Sequence, residues 1–190
     1  MMISPTQGQA MSMLISAIRP NRVLELGCFV GNSALWIADG LSNVPEKKGH
    51  LWTCEIDPKM AAFATKNVEM VSDLVTVVNS SAQDFLDSWN EKNQFDFIFI
   101  DADKGGYINY YETILSRNML SLSGLIVADN VLFKDQVHPI DNRLGGMIKA
   151  PKSIREKVYN FNLHVSLDNR TEQVILPIFD GLSIIRLKRN

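Results

Sequence analysis

Arg22-Val23-Leu24-Glu25-Leu26-Gly27-Cys28-Phe29-Val30-Gly31-Asn32-Ser33 reads as a short β-strand that runs into a glycine-framed turn and then into a helix. Val23, Leu24 and Leu26 form an apolar run of strand length, and Gly27 and Gly31 supply a backbone able to turn sharply and to approach a ligand. Beyond Gly31 the free amides of a helix start, with the Ser33 hydroxyl beside them, suit an anion such as a carboxylate. The spacing is Gly-x-x-x-Gly. A dinucleotide pyrophosphate calls for Gly-x-Gly-x-x-Gly, so NAD is disfavoured.

Working outward, further short β-like runs lie at His50–Cys54, Val75–Val78, Phe95–Ile100 and Leu125–Ala128, separated by stretches compatible with helix. That alternation predicts an α/β fold of parallel strands with crossover helices. Upstream, Ser4-Pro5-Thr6-Gln7 reads as a helix start: Ser4 caps, Pro5 fits the first turn and Gln7 reaches back to the cap amide. Ala10, Met13, Leu14, Ala17 and Ile18 then follow at helical spacing as one apolar stripe, ending near Arg19-Pro20. Asp57-Pro58 starts a helix that runs to Met70, and Tyr107, Tyr111, Ile114 and Leu115 give the helix after the fourth strand its apolar face. A helix from Ser153 to about Asp168 precedes two final runs, Gln173–Pro177 and Leu182–Leu187, which flank Asp180-Gly181. That dipeptide is a hairpin signal, so one strand near the sheet edge is expected to be antiparallel. The segment from Phe133 to Pro151 reads as one long irregular loop.

The 190 residues suit a single domain spanning the whole chain. A composition of 46% hydrophobic and 21% charged residues is that of a globular protein and excludes a disordered or fibrous chain. The net charge of -2 argues against nucleic acid, whose binding needs clustered Lys and Arg. No run is long and apolar enough for a membrane span, and the start lacks the pattern of a secretory leader. Cys28 and Cys54 form no Cys-x-x-Cys pair, so neither a zinc site nor a disulfide framework is expected. A cytoplasmic protein is predicted.

In an open α/β sheet, ligands bind outside the carboxyl ends of the strands. The second strand ends in Glu55, placed to accept bonds from two ribose hydroxyls; the alternative is a solvated loop carboxylate. Ala82 and Gln83 follow the third strand and border the place for a base, unless Gln83 is only a polar helix-start residue. The fourth strand ends in Asp101-Ala102-Asp103-Lys104 and the fifth in Asp129-Asn130. If those strands are neighbours, Asp101, Asp129 and Asn130 converge as hard oxygen donors suited to magnesium, with positions left for water and substrate. Zinc would call for nitrogen or sulfur. The competing reading makes Asp101 and Asp129 separate helix caps. His50, His138 and His164 lack ligand spacing and read as surface or packing residues.

Taken together, Leu24-Glu25-Leu26-Gly27 with Gly31 and Ser33, Cys54-Glu55-Ile56-Asp57-Pro58, Asp101-Ala102-Asp103-Lys104 with Tyr107 and Tyr111, Ala128-Asp129-Asn130, and Leu176-Pro177 with Asp180-Gly181 resemble the cation-dependent O-methyltransferases, the family of catechol and caffeoyl-CoA O-methyltransferases. The resemblance runs over nearly the whole chain, in order and with similar gaps. It implies a Rossmann-like class I methyltransferase fold: a seven-stranded, mostly parallel sheet with helices on both faces. It also implies that Ile3, Glu25, Gly27, Cys28, Ser33, Glu55, Ala82, Gln83, Asp101 and Asp103 hold S-adenosylmethionine. Asp101, Asp129 and Asn130 would be the ligands of Mg2+ or another hard divalent cation, with Lys104 as the general base and Asp101 beside it in catalysis. The implied substrate is a small aromatic diol, and a homodimer is common in the family. Phe29 and Asn32 stand where relatives often have tyrosine, and the chain starts close to its first helix, where relatives usually carry further residues. Two other readings share the cofactor half: methylation of a non-catechol acceptor such as a nucleobase or protein side chain, and S-adenosylmethionine binding without turnover.

Overall fold

The structure is a computed structural model that describes residues 2–44, 49–89, 93–133, 137 and 152–189. His138, Met1 and most of the predicted 133–151 loop lie outside the described residues. Seven strands, β1 (Arg22–Leu26), β2 (His50–Glu55), β3 (Val75–Asn79), β4 (Phe95–Ile100), β5 (Leu120–Asp129), β6 (Thr171–Leu176) and β7 (Leu182–Leu187), form one sheet in the order β3-β2-β1-β4-β5-β7-β6. All neighbours pair in parallel except β7, which runs antiparallel to β5 on one side and to β6 on the other. The expected single antiparallel strand is therefore β7, one position in from the edge.

The helices are α1 (Pro5–Ile18), α2 (Asn32–Ser42), α3 (Pro58–Asn67), α4 (Ala82–Ser88), α5 (Tyr107–Ser116) and α6 (Lys152–Leu167). Strand β4, Phe-Asp-Phe-Ile-Phe-Ile, shows why they cover both faces: Phe95 and the run from Phe97 to Ile100 are all 0% exposed, the signature of a central parallel strand. Alternate side chains pass to opposite sides. Ile98 and Ile100 join Leu24, Leu26, Tyr107 and Phe161 in one core, while Phe97 and Phe99 join Val23, Met11, Ile15 and Ile37 in the other. Among the described residues no helix is long and apolar enough to cross a membrane.

Several local expectations hold. Ser4 caps α1 through a bond from the Gln7 amide, Pro5 opens the helix, and Asp57 caps α3 by accepting from the amides of Lys59 and Met60. Others need correction. Strand β5 starts at Leu120, five residues before the expected Leu125, and its register against β4 shifts between Phe95 and Phe97. Helix α3 stops at Asn67, and Glu69–Val71 continues as a 3-10 turn. Pro177, which has no amide to donate, lies outside β6 and opens a five-residue connection whose Gly181 has φ +87°.

The stripe on α1 is rotated from the predicted one. The buried face is Gln7, Gly8, Met11, Ser12 and Ile15, while Met13 is 64% exposed and Ala17 is exposed. Small residues decide it. Gly8 leaves room for the Trp36 indole, since a Cβ there would come within 2.4 Å of it, and a Cβ on Gly40 would stand 2.7 Å from Ile15 and from the Ser12 carbonyl. Ser12 also donates to Asp39 at 2.5 Å. A count of large apolar residues misses a face defined by close approach. Gly40→Ala should therefore lower stability by about 1–3 kcal/mol in urea unfolding, whereas Met13→Ala should change it by less than ~0.5 kcal/mol. Equal effects would refute this account of the α1–α2 contact.

Candidate active site

Strands β1, β2 and β3 run outward to one side and β4 starts the other half, so the strand order reverses between β1 and β4. Ligand sites gather at such a crevice, outside the carboxyl ends. A cavity of about 380 Å³ opens there, a size suited to a small molecule or cofactor. Its floor is the turn after β1. Gly27 has φ +96°, and a Cβ on it would lie 2.6 Å from the Asp101 carbonyl, so only glycine lets the tips of β1 and β4 meet. Gly31, with φ +87°, begins α2 without a side-chain cap, which leaves the first amides of that helix available to an anion.

The cavity wall includes Ile3, Gly27, Cys28, Ser33, Glu55 and Ala82, and also Asp101 and Asp103. Each was singled out from the sequence. The two Glu55 oxygens accept from the amides of Phe29 at 2.7 Å and Asp57 at 2.9 Å. A carboxylate has about four lone-pair sites, so each oxygen keeps capacity for a hydroxyl donor. Gln83 is not on the wall: its amide nitrogen donates to Asp87 and Thr113. Glu25 is not on the wall either but lies fully buried. Thr53 donates to its Oε2 at 2.5 Å, while Oε1 has no partner. Burial is the main reason its carboxyl is pushed up to about 7; nearby Asp101 and Glu55 add to the rise and the Ser33 and Thr53 hydroxyls oppose it. An orphaned buried oxygen of this kind suits a cationic ligand group. Burial likewise pushes the Cys54 thiol up to about 12 and the Cys28 thiol higher, so both stay protonated.

The second half of the site follows from the pairing of β4 with β5. Ile100 is opposite Ala128, so Asp101 and Asp129 come off adjacent strand tips. Neither behaves as a lone helix cap. Asp101 Oδ1 accepts from Lys104 Nζ at 3.1 Å, and Asp129 accepts from the Asn130 amide at 2.6 Å. Asn130 itself sits in the left-handed region at φ +57°, a conformation asparagine tolerates. Asp129 is 2% exposed. Burial first, and the neighbouring Asp101 second, push its carboxyl up to about 6. Asp101 is raised chiefly by burial, against the pull of Lys104. Asp101 thus raises Asp129 across the strand tips, and Asn130, whose side chain carries a third oxygen, follows in the chain. Among the described residues no group of three or more His, Cys, Asp or Glu gathers around one point.

Three residues carry more than the sequence reading allowed them. Tyr107, read as part of an apolar face, accepts from Lys104 Nζ at 2.6 Å while its own hydroxyl reaches the carbonyls of Ile100 and Asp129, each at 3.1 Å. Tyr110, on the cavity wall, donates to Asp103 at 2.5 Å. Gln7 does not reach back to its cap: it is 0% exposed and faces Asp129, favouring the ionised carboxylate, although neither amide atom attains hydrogen-bond geometry with any partner. For the tyrosines the available signal was spacing, three and six residues beyond Lys104. His164, bonded to Glu112 at 2.6 Å, and His50, bonded to Thr76 at 2.8 Å, stand apart as expected.

Residues 1–188 match the family model described as O-methyltransferase. The O-methyltransferase ankF of Aspergillus thermomutatus is 34% identical over 194 residues, covering 99% of this chain and 80% of that protein. The catechol O-methyltransferase of Niastella koreensis is 40% identical over 135 residues, 68% of this chain and 58% of that one. Among solved structures, the SAH-bound methyltransferase PaMTH1 of Podospora anserina superposes with a TM-score of 0.84 at 30% identity, covering 99% of this chain and 80% of that one. The O-methyltransferase of Bacillus cereus, in complex with SAH, gives 0.83 at 30% identity over 98% and 82%.

The buried carboxyls make a pH prediction. A carboxyl whose folded pKa is raised binds its proton more tightly in the folded state, so the stability it contributes is full below the unfolded value and lost as pH rises through the folded one. For Glu25 that window is 4.5 to about 7, and for Asp129 3.8 to about 6. At about 1.4 kcal/mol per pH unit, Glu25→Gln should make the ligand-free protein more stable than wild type at pH 8 by up to ~3 kcal/mol, and the gain should vanish near pH 4.5. Urea titrations across that range test it; a difference that does not change with pH would contradict the assignment.

Proposed function

The chain belongs to the O-methyltransferase family, and from that premise we propose that it moves a methyl group from S-adenosylmethionine to one hydroxyl of a vicinal aromatic diol, with a hard divalent cation, Mg2+, at the reacting end. The observation that carries this reading is the Asp101–Asp129 pair: two raised carboxylates at adjacent strand tips, Asp129 buried and Asp101 half-buried on the wall of the cofactor-sized cavity. Single-domain organisation over 1–190 and a cytoplasmic setting complete the reading; both cysteines are free and buried, as a reducing compartment allows.

S-Adenosylmethionine supplies an electrophilic methyl group on a sulfonium centre. Glu55 would take the ribose hydroxyls with its remaining lone pairs, and the uncapped start of α2 with Ser33 would take the carboxylate. The buried Glu25, two residues before Gly27 of the cavity wall in the strand that enters the turn, would meet the ammonium end with its orphaned oxygen. Asp103, held by Tyr110, and Ala82 would border the rest of the nucleoside, with Ile3 and Cys28 as apolar wall. Gln83, bonded away from the cavity, would help only by a change of rotamer.

Asp101, Asp129 and Asn130 would hold the cation, which supplies positive charge favouring the ionised form of a hydroxyl beside it. Lys104, 13% exposed and next to Asp101, is the base for the acceptor proton. Desolvation around the site weakens competition from water, which would stabilise separated charges more than the charge-dispersed transition state.

In a methyl-transfer screen over catechols, flavonoids and caffeoyl thioesters, read by mass spectrometry, at least one diol should be methylated with magnesium and cofactor together. Asp129→Ala and Lys104→Ala should each reduce turnover by roughly 10²–10⁴-fold. Activity undiminished in excess EDTA would refute the role given to the cation.

A further inference from the structure

Tyr107 is fully buried, yet its hydroxyl takes part in three hydrogen bonds. It accepts from Lys104 Nζ at 2.6 Å and shares its own proton between the Ile100 and Asp129 carbonyls, both at 3.1 Å. A carbonyl oxygen can only accept, so the phenolic proton is committed to the two strand tips and the phenolic oxygen can only accept from Lys104. Burial, reinforced by the surrounding carboxylates, holds the phenol in its protonated form. The side chain cannot swing away, because Phe161 packs edge-on against its ring with centroids 5.3 Å apart.

We propose that Tyr107 is a positioning residue for Lys104, fixing where its head group stands beside Asp101. The inference rests on the proposed role of Lys104. Nζ donates to Asp101 Oδ1 at 3.1 Å and to Tyr107 Oη at 2.6 Å. A further contact, to the Ala102 carbonyl, is 3.5 Å long, at the outer limit of a hydrogen bond. The two shorter bonds fix where the head group stands. The same hydroxyl fastens the ends of β4 and β5, so the base is registered against the strand tips that carry Asp101 and Asp129. Lysine has four rotatable bonds of its own, and the orientation of its head group is what these two acceptors contribute.

The test is a double-mutant cycle of Tyr107→Phe and Lys104→Met, assayed with the diol found in the screen at saturating cofactor. Tyr107→Phe should lower kcat about 10- to 100-fold, with KM for the cofactor and SAH affinity by calorimetry within about twofold of wild type. In the Lys104→Met background the same change should cost less than about twofold, because its effect passes through the lysine. Additive losses, or a Tyr107→Phe enzyme of wild-type kcat, would overturn the positioning role. An active Lys104→Met would instead overturn the proposed base. If Tyr107→Phe does not fold, NMR of wild-type protein labelled at lysine 15Nζ decides: Lys104 should show an ordered Nζ, in contrast to the mobile signals of exposed Lys59 and Lys66, and equal mobility would refute the proposal.

Discussion

The parallel pairing of β4 with β5 is the constraint on which the reacting end depends. It brings two carboxylates to neighbouring positions, where Asp101 disfavours the ionised form of Asp129 and desolvation disfavours both. Nothing in folding rewards such a pair by itself; desolvated like charges cost stability unless something positive or proton-donating meets them. Lys104 meets Asp101, and the Asn130 amide meets Asp129. In the function proposed above, a divalent cation would meet the rest of that charge.

The close approach of β1 to β4 then joins that end to the cofactor cavity. Gly27 is the hinge of the arrangement, since a side chain there would collide with the backbone of Asp101. Asp101 is consequently shared: its carboxylate meets the lysine, and it also lines the cavity. From the outer face of the sheet, α1 reaches both halves. Ile3, just ahead of it, lines the cavity, and Gln7 in its first turn points toward Asp129. The tight contact of α1 with α2 through Gly8, Ser12 and Gly40 is what holds these residues at that depth.

Most of the architecture was legible because it rests on strong local signals. The apolar runs of β1 and β4, the caps Ser4 and Asp57, and the turn glycines act over a few residues, and each appears where its chemistry requires. Strand-end carboxylates were legible for a related reason: a parallel sheet sends all its strand ends to one edge, so Glu55, Asp101 and Asp129 had to gather there. What escaped the reading depends on contacts between distant segments. The true face of α1 follows from the shape of Trp36 and Ile15, not from its own periodicity. The early start of β5 depends on Leu120 finding Phe95 across the sheet. Gln7 fits a local capping pattern, yet its burial against Asp129 is set by tertiary packing, and the Tyr107 hydroxyl is indistinguishable from apolar filling until its three partners are brought around it.

The central claim is that the tips of β4 and β5 form one cation site beside a methyl-donor cavity. Anomalous diffraction from crystals grown with SAH and soaked in Mn2+, a hard cation that reports its own position, tests it most directly. The account predicts a single strong peak within coordination distance of Asp101, Asp129 and Asn130 oxygens, lost in Asp129→Ala crystals. A peak placed elsewhere, or none while SAH fills the cavity, would contradict it.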